Sequence, residues 1–267
     1  MTPPKKSFGQ HFLHDRSYVD RIVLALAPTP ADTLLEIGPG EGALTLPLLA
    51  AAGRLTAIEL DADLIPALRR RAAAVGELEV IHADILQVDL TALAHQLGTA
   101  RLRIAGNLPY YISSPILFHC MRHLAAVRDL HFMLQKEVVQ RMAAAPGSKI
   151  YGRLSVMLQL ACRVESLFDV PAQAFRPPPK VDSAVVRMLP LAAHERHDAP
   201  PEDVHLVVKA AFAQRRKTLA NALGQLLDGD AIRDAGVDPR ARAETLEPAA
   251  FVRLAKAWAA RRAATSA

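Results

Sequence analysis

The sequence has few features of exported or membrane-embedded proteins. Only two of its 267 residues are cysteines, Cys120 and Cys162, and each lies inside an apolar run. Two such thiols do not make the disulfide framework of a small secreted protein, so we expect them to be reduced and buried. The N-terminal stretch MTPPKKSFGQHF has no apolar signal core, and no apolar run approaches the roughly 20 residues of a membrane helix. These absences predict a cytoplasmic protein without a membrane partner.

The chain also lacks internal repeats, low-complexity segments and long heptad patterns, so we expect a monomer. Hydrophobic residues make up 51% of the chain, which is enough to fill one good-sized core and a smaller second one. The formal net charge of +5 favours an anionic partner, and both nucleic acid and acidic metabolites meet that description.

Short apolar runs alternate with helical patterns between Leu34 and Leu189. The runs are LLEI, LTAIEL, LEVIHA, LRIA, LHFML and VDSAVVRML. Strands separated by helical segments favour a mostly parallel sheet with helices on both faces, which is a Rossmann-like α/β fold. The spacing of apolar residues also predicts a lead-in helix from Tyr18 to Leu26.

The pattern changes after Leu189. The segment PLAAHERHDAPP is polar and proline-bearing, as linkers are, and the periodicity beyond it is helical. The apolar residues of this region keep largely to one helical face: Val204, Val208, Phe212, Leu219 and Leu223. We therefore predict an α/β domain over 1–190, with a lead-in segment over 1–30, a linker over 191–201, and a small all-helical domain over 202–267.

A glycine-rich loop, LLEIGPGEGALT, follows the first predicted strand of the sheet. Its glycines at 38, 40 and 42 permit a tight turn and let a ligand approach the backbone at the start of a helix. The spacing is GxGxG and not GxGxxG, and Pro39 removes an amide donor that a pyrophosphate would use. The loop thus indicates a small-molecule site other than a dinucleotide site, with a simple strand-to-helix turn as the alternative.

Two carboxylates follow the next two strands. Glu59 lies near the end of LTAIEL, where an acid in such folds accepts hydrogen bonds from ribose hydroxyls, and Asp84 follows IHA, where it can accept from an adenine amine. Each alone is commonly a solvated acid at a strand end. Together with the loop they predict a pocket for an adenosine without a diphosphate, a description that S-adenosylmethionine fits.

The fourth strand ends in the unusual stretch GNLPYY, residues 106–111. Leu108 precedes Pro109, so its backbone is biased to the extended region and its carbonyl can point outward. With the side-chain oxygen of Asn107 beside it, the stretch offers two fixed acceptors for an amine that carries two hydrogens. Tyr110 would stack on the base that bears this amine. The alternative is an ordinary proline turn with packing tyrosines.

A second aromatic candidate lies in AFRPPPKVDS. Phe175 could cover the opposite face of the same base, with Pro177 to Pro179 stiffening the loop, or it could be an ordinary packing residue. No metal is expected at this site.

Five segments resemble the small-subunit ribosomal RNA adenine-N6 dimethyltransferases of the KsgA type. They are KKSFGQHFL, EIGPGEGALT, GNLPYYISSPIL, FRPPPKVDSAVVRM and AAFAQRRKTLANAL, and they occur in order over nearly the whole chain. The resemblance implies a class I methyltransferase domain with a seven-stranded sheet and a helical RNA-contacting domain. It implies that two methyls pass from S-adenosylmethionine to each of two adjacent adenines near the 3′ end of 16S rRNA, within the immature small ribosomal subunit.

The resemblance also implies roles for individual residues. His11 and Leu13 would contact the methionine end of the cofactor, and the backbone of Gly38 in the glycine loop would also touch the cofactor. Glu59 would bind the cofactor's ribose, and Asp84 would bind its adenine. Asn107 would border both cofactor and target amine. Leu108, Tyr110 and Phe175 would form the target-base site.

The stretch QRRKTL places three cations in the helical region, Arg215, Arg216 and Lys217. On a helix, consecutive positions spread such side chains around the axis, and a solvated helix turn is the alternative to RNA contact. From Glu202 onward the chain has eleven Lys or Arg against eight Asp or Glu, a net of +3. This excess supports phosphate contact only weakly.

Three alternatives stay open on the sequence alone. A 23S rRNA adenine methyltransferase of the macrolide-resistance type shares the cofactor loop and the Asn-x-Pro-aromatic stretch. A DNA adenine methyltransferase fits less well, because its version of that stretch is usually acidic or has two prolines. A non-catalytic assembly factor or transcription cofactor on the same scaffold would have no need of Glu59 and an intact glycine loop.

Overall fold

The computed structural model describes residues 11–214 and 216–266, and the side chains of all of these except 265 and 266. The chain divides into two compact units. The first comprises Met1–Val139 and Glu165–Pro190, and the second comprises Gln140–Val164 and Leu191–Ala267.

The first unit is built on a sheet of seven strands. In chain order the strands of the described residues are Phe12–Leu13 (β1), Leu34–Ile37 (β2), Arg54–Glu59 (β3), Glu77–His82 (β4), Leu102–Asn107 (β5), Val127–Gln135 (β6), Cys162–Val170 (β7), Phe175–Arg176 (β8) and Ser183–Pro190 (β9). The sheet order is β4-β3-β2-β5-β6-β9-β7, and β1 pairs with β8 in a separate two-stranded ribbon. The pairs from β4 to β6 are parallel, whereas β9 is antiparallel to β6. The predicted mostly parallel seven-stranded sheet is confirmed.

Helices connect these strands. They are Arg16–Leu26 (α1), Thr45–Ala52 (α2), Ile65–Ala72 (α3), Leu90–Gln96 (α4), Ser113–Arg122 (α5) and Lys136–Met142 (α6). β2 is buried along its whole length, as expected of a strand covered on both faces. Helix α1 begins with Asp15 as N-cap, whose side chain accepts a hydrogen bond from Ser17 N at 2.9 Å.

The topology brings the predicted site residues to one edge of the sheet. Because β2, β3, β4 and β5 are parallel, their carboxyl ends lie on the same side. The glycine loop, Glu59, Asp84 and Asn107 all follow or end these strands. Switch points of such sheets form crevices at this edge, which is where ligands bind.

The opposite edge of the sheet carries a buried charge network. Arg103 near the start of β5 donates to Asp129 of β6 at 3.0 Å and to Asp32, just before β2, at 2.9 Å. Its remaining donors include a 2.6 Å hydrogen bond to the Leu26 carbonyl at the end of α1. The guanidinium therefore has the partners that a buried charge requires, and it joins the end of α1 and the loop before β2 to strands β5 and β6.

The second unit is helical. Its helices are Arg153–Gln159 (α7), Pro201–Ala211 (α8), Leu219–Ala222 (α9), Gly229–Asp234 (α10) and Pro248–Ser266 (α11). Its core contains the predicted apolar residues Val204, Val208, Leu219 and Leu223, with Phe212 partly buried against them. The Phe212 ring stacks on Phe251 at a centroid distance of 5.6 Å. No described helix in either unit combines the length and apolar character needed to cross a membrane.

Three features of the chain differ from the sequence-based expectations. The segment Gln140–Val164 belongs to the second unit, although its position before residue 190 grouped it with the sheet. Strand β7 was not predicted, because most of its side chains are partly or fully exposed and give no apolar run. Arg216 and Lys217 of the QRRKTL stretch lie outside any helix: α8 ends at Ala211, and these two residues lie in a turn before α9.

Candidate cofactor and target-base site

A cavity opens at the carboxyl edge of the parallel strands. It is lined by eight of the residues predicted from the sequence to contact cofactor or base: His11, Leu13, Gly38, Glu59, Asp84, Asn107, Leu108 and Tyr110. These come from β1, the glycine loop, the ends of β3 and β5, and the turn after β4. Residues from five chain segments thus meet in one place.

The glycine loop forms one wall of this cavity. Gly38 and Gly40 have backbone φ angles of +69° and +57°, which residues with a Cβ rarely adopt. The Gly38 amide donates to the Ile58 carbonyl at 2.9 Å, and this bond ties the loop to β3. A Cβ on Gly40 would lie 3.0 Å from a ring carbon of Phe12, so β1 packs directly on the loop.

Glu59 is held by backbone amides on both of its oxygens. Oε2 accepts from Gly40 N at 3.0 Å, and Oε1 accepts from Asp61 N at 2.8 Å. The residue is only 6% exposed, and burial raises its pKa while these two amides act in the opposite direction. The carboxylate is therefore fixed in place between the loop and the cavity.

Glu36 also lines the cavity, and the sequence-based reasoning missed it. It is 1% exposed, and its Oε2 atom has no hydrogen-bond partner among the described residues. Burial raises the pKa of Glu36 to about 8, and the neighbouring Glu59 charge adds to the effect. The available signal was an acid inside the otherwise apolar strand LLEI, where an unpaired carboxylate is costly.

Asp84 caps the short turn Ile85–Gln87 that follows β4. Its Oδ1 accepts from Leu86 N at 2.9 Å. Within the described residues Oδ2 has no protein donor, so this oxygen can accept a hydrogen bond from a ligand in the cavity it lines.

Asn107 is oriented by a single hydrogen bond to His11, the residue just before β1. Its Nδ2 donates to the His11 carbonyl at 3.0 Å, which turns Oδ1 away from that carbonyl. The next residue is fixed by its amide, because Leu108 N donates to Met133 O at 3.1 Å. Neither Asn107 Oδ1 nor the Leu108 carbonyl accepts a hydrogen bond from the described residues.

Tyr110 is held by two contacts at the same rim. Its hydroxyl is 2.7 Å from Ser183 Oγ, and its ring stacks on His11 with centroids 5.7 Å apart and planes 27° apart. The His11 Nδ1 is 2.8 Å from the Pro177 carbonyl. Burial raises the pKa of Tyr110, so the phenol is neutral at physiological pH. No sequence pattern indicated this aromatic pair.

Phe175 lies elsewhere. It is 1% exposed in β8, pairs with Leu13 of β1, and belongs to a core cluster with Ala105 and Met133. It does not line the cavity, so its ring presents no face to a ligand in this conformation.

The predicted RNA-contacting cations belong to the second unit. Arg216 and Lys217 are exposed, and Lys217 N donates to the Gln214 carbonyl at 2.9 Å within their turn. Arg215 lies outside the described residues.

Comparison with known proteins gives a consistent result. Residues 1–260 match the model of a family described as ribosomal RNA adenine dimethylase. The ribosomal RNA small subunit methyltransferase A of Xanthomonas campestris pv. campestris (strain B100) is 59% identical over 253 residues, 95% of each chain. The protein of that name from Xylella fastidiosa (strain Temecula1 / ATCC 700964) is 56% identical, over 96% of each chain.

Two solved structures are similar over both units. A dimethyladenosine transferase from Plasmodium falciparum has 25% identity and a TM-score of 0.79, covering 91% of this chain and 96% of its own. The 23S rRNA methyltransferase ErmE has 27% identity and a TM-score of 0.72, covering 93% of this chain and 99% of its own.

Proposed function

The chain belongs to the ribosomal RNA adenine dimethylase family, and from this we propose that it dimethylates the N6 amines of two adjacent adenines near the 3′ end of 16S rRNA. The substrate is the immature small ribosomal subunit, and the methyl donor is S-adenosylmethionine. The observation that supports this most directly is a pair of unpartnered acceptors, Asn107 Oδ1 and the Leu108 carbonyl, beside a cavity that Glu59 and Asp84 also line. We also propose that the protein acts as a monomer in the cytoplasm.

The residues around the cavity fit this cofactor. The fixed Glu59 carboxylate suits ribose hydroxyls, Asp84 Oδ2 suits the adenine amine, and the Gly38 backbone allows close approach. His11 and Leu13 would contact the methionine end. When bound, the cofactor supplies a methyl on a sulfonium, which is already strongly electrophilic.

The protein's contribution to methyl transfer is to position and polarise the target amine. An aromatic amine is a weak nucleophile because its lone pair is delocalised into the ring. Asn107 Oδ1 and the Leu108 carbonyl would accept hydrogen bonds from its two N–H groups. These bonds would favour a pyramidal nitrogen and offset the positive charge that develops on it during methyl transfer. Orientation of this kind accounts for much of the acceleration in reactions between aligned groups, so no strong base is required.

Tyr110 would hold the target adenine by stacking, a contact worth roughly 1 to 3 kcal/mol per base. Its ring orientation is fixed by Ser183 and His11. Phe175 is the second proposed stacking residue. To reach the base from its buried position it would have to leave the β1–β8 ribbon, so this role requires a rearrangement on binding.

The second unit would provide RNA contacts through Arg215, Arg216 and Lys217. The exposed turn of Arg216 and Lys217 leaves both side chains accessible to phosphates. We propose that residues 1–190 supply the catalytic domain, with 140–164 excepted, and that 202–267 supply the RNA-binding domain.

The 23S rRNA alternative is disfavoured. Relatives that share more than half of their residues with this chain carry the small-subunit name, whereas the likeness to the 23S enzyme is at the level of the common fold. A non-catalytic scaffold is disfavoured by the intact acid and glycine set of the cavity.

Methylation of purified ribosomal particles tests the proposal. With labelled S-adenosylmethionine, we expect label in 16S rRNA of immature small subunits, as N6,N6-dimethyladenosine at two adjacent positions by mass spectrometry. Large subunits, 23S rRNA and duplex DNA should remain unlabelled. Label confined to 23S rRNA would refute the assignment, and label in none of them would favour the scaffold reading. Cells lacking the protein should show both positions unmodified.

A further inference from the structure

A second groove lies beside the cavity on the first unit. It has a volume of about 570 Å³ and is bordered by β1, the glycine loop, α1, α2 and α3. Leu13, Glu41 and Ala43 line both the groove and the cavity. Strand β1 and the glycine loop therefore form a common wall between the two, and a ligand crossing that wall would contact both.

The polar lining of this groove is mainly basic. His14, Arg16 and Arg71 line it and are exposed, and Glu41 is its acidic residue. Arg71 donates to the backbone carbonyl of Glu41, which uses one of its five N–H donors and leaves the positive charge unneutralised. Arg16 is 3.5 Å from Asp20, but both side chains are mostly exposed, and such a pair is weak and easily exchanged.

The groove is within a short distance of the target-base site. His11, which stacks on Tyr110, and His14, which lines the groove, are three residues apart, so the chain between them spans at most about 11 Å. A nucleic acid strand whose adenine entered the cavity at Tyr110 would carry its neighbouring phosphates past β1. Planar arginine forks match phosphate oxygens, and phosphodiesters are the anions that such a strand presents.

We propose that this groove binds the sugar-phosphate backbone of the nucleotides next to the target adenine, through Arg16 and Arg71 with His14 beside them. The proposal rests on the proposed function, since it takes RNA as the substrate. It gives the first unit its own phosphate contacts, separate from those expected of the second unit. It also accounts for an exposed arginine at the first position of α1, where the helix dipole disfavours a cation.

Charge reversal at matched positions tests the groove. The variants are Arg71→Glu and Arg16→Glu, and the control is Arg70→Glu, an equal charge change on the exposed neighbour of Arg71 outside the groove lining. We expect each groove variant to bind immature small subunits about five- to tenfold more weakly than the control, with a salt slope lower by about 1. Affinity for S-adenosylmethionine, measured by calorimetry, should match that of the control.

Two outcomes would contradict the groove proposal. Equal RNA affinity in all three variants would show that the groove is an ordinary surface crevice with no role in RNA binding. Loss of cofactor affinity in Arg71→Glu, with normal RNA binding in Arg16→Glu, would make Arg71 a support of the glycine loop only. Methylation by the wild-type protein is assayed first. If it methylates another RNA, the proposed substrate is wrong, and the affinities of the three variants are then compared on the RNA that it does methylate.

Discussion

At the scale of the residue, the site depends on how one amide is turned. Asn107 can present either a donor or an acceptor to the cavity, and its hydrogen bond from Nδ2 to the His11 carbonyl leaves the acceptor oxygen for a ligand. The residue just before β1 thereby sets the orientation of the amide at the end of β5. This coupling between two distant segments is a property of the assembled site and of neither segment alone.

Removal of that acceptor should affect the rate more than binding. We expect Asn107→Ala to lower kcat about 10²- to 10³-fold, as removal of one transition-state hydrogen bond does, while RNA Kd changes less than about twofold. Asn107→Asp keeps an oxygen but loses the donor to His11, so it should also be slow. Single-turnover methylation and filter binding measure the two quantities. Parallel losses of rate and affinity would show that Asn107 is structural.

The buried acid Glu36 makes stability depend on pH. Its folded pKa of about 8 lies above its unfolded value of 4.5, so between these values the folded state binds more protons and the free energy of unfolding falls as pH rises. We expect the free energy of unfolding of Glu36→Gln not to show this fall. Relative to wild type it should therefore rise between pH 5 and pH 8, by on the order of a few kcal/mol. Urea denaturation at several pH values measures it. A constant difference between the two proteins would contradict the raised pKa.

Some of these residue roles could be predicted from the sequence and others could not. Glu59, Asp84 and Asn107 follow predicted parallel strands, so the geometry of a parallel sheet brings them together. The contacts of His11 with Tyr110 and Pro177 join three segments that are distant in the chain, and no local pattern encodes them. The burial of Phe175 likewise depends on the pairing of two strands of two residues each.

At the scale of the element, the glycine loop is constrained by both its own backbone and β1. Gly40 has a left-handed φ, and a side chain there would also meet Phe12. Gly98 has φ +69° with open space around its Cβ position, so it isolates the backbone effect. Comparing Gly40 with Gly98 therefore separates the effect of backbone strain from that of the contact with Phe12.

Alanine at these two glycines should give different results. We expect Gly40→Ala and Gly98→Ala each to lose about 1 to 2 kcal/mol of stability from the left-handed backbone. Only Gly40→Ala should also bind S-adenosylmethionine more weakly, because the added methyl displaces Phe12 and the amide that holds Glu59. Thermal denaturation and calorimetry give the two quantities. Unchanged cofactor affinity in Gly40→Ala would mean that Phe12 of β1 moves aside without displacing the glycine loop.

Element prediction succeeded where a strand carries a short apolar run between helical patterns. This holds for β2 to β6 and β9, whether the strand is fully buried like β2 or largely exposed like β4. Strand β7 was missed because polar residues interrupt its apolar ones, and β1 and β8 are too short to show a period. The helical interpretation of QRRKTL was wrong for Arg216 and Lys217, because α8 stops at Ala211 and these two residues lie in a turn before α9.

At the scale of the whole molecule, the two units are assigned different tasks. The cavity and the basic groove are formed by the first unit, and the cationic turn of Arg216 and Lys217 belongs to the second. Binding to RNA and binding to cofactor should therefore be separable by mutation.

Charge reversal in the second unit should affect RNA binding alone. We expect Arg216→Glu with Lys217→Glu to weaken small-subunit binding and to lower its salt slope by about 2, since two phosphate contacts are lost. Cofactor affinity should be unchanged. The matched control is Arg240→Glu with Arg242→Glu, two exposed positions in the same unit. Equal binding by the two double variants would make the turn an ordinary solvated loop.

The burial of both cysteines has a practical consequence for studies of this enzyme. Cys120 and Cys162 are inaccessible, and burial raises the pKa of Cys162 to about 12, so this thiol stays protonated and inert toward maleimides. Tyr111, at the cavity rim, is 59% exposed. Tyr111→Cys in the otherwise native chain would thus accept a single fluorophore, whose emission could report in real time when a nucleobase enters.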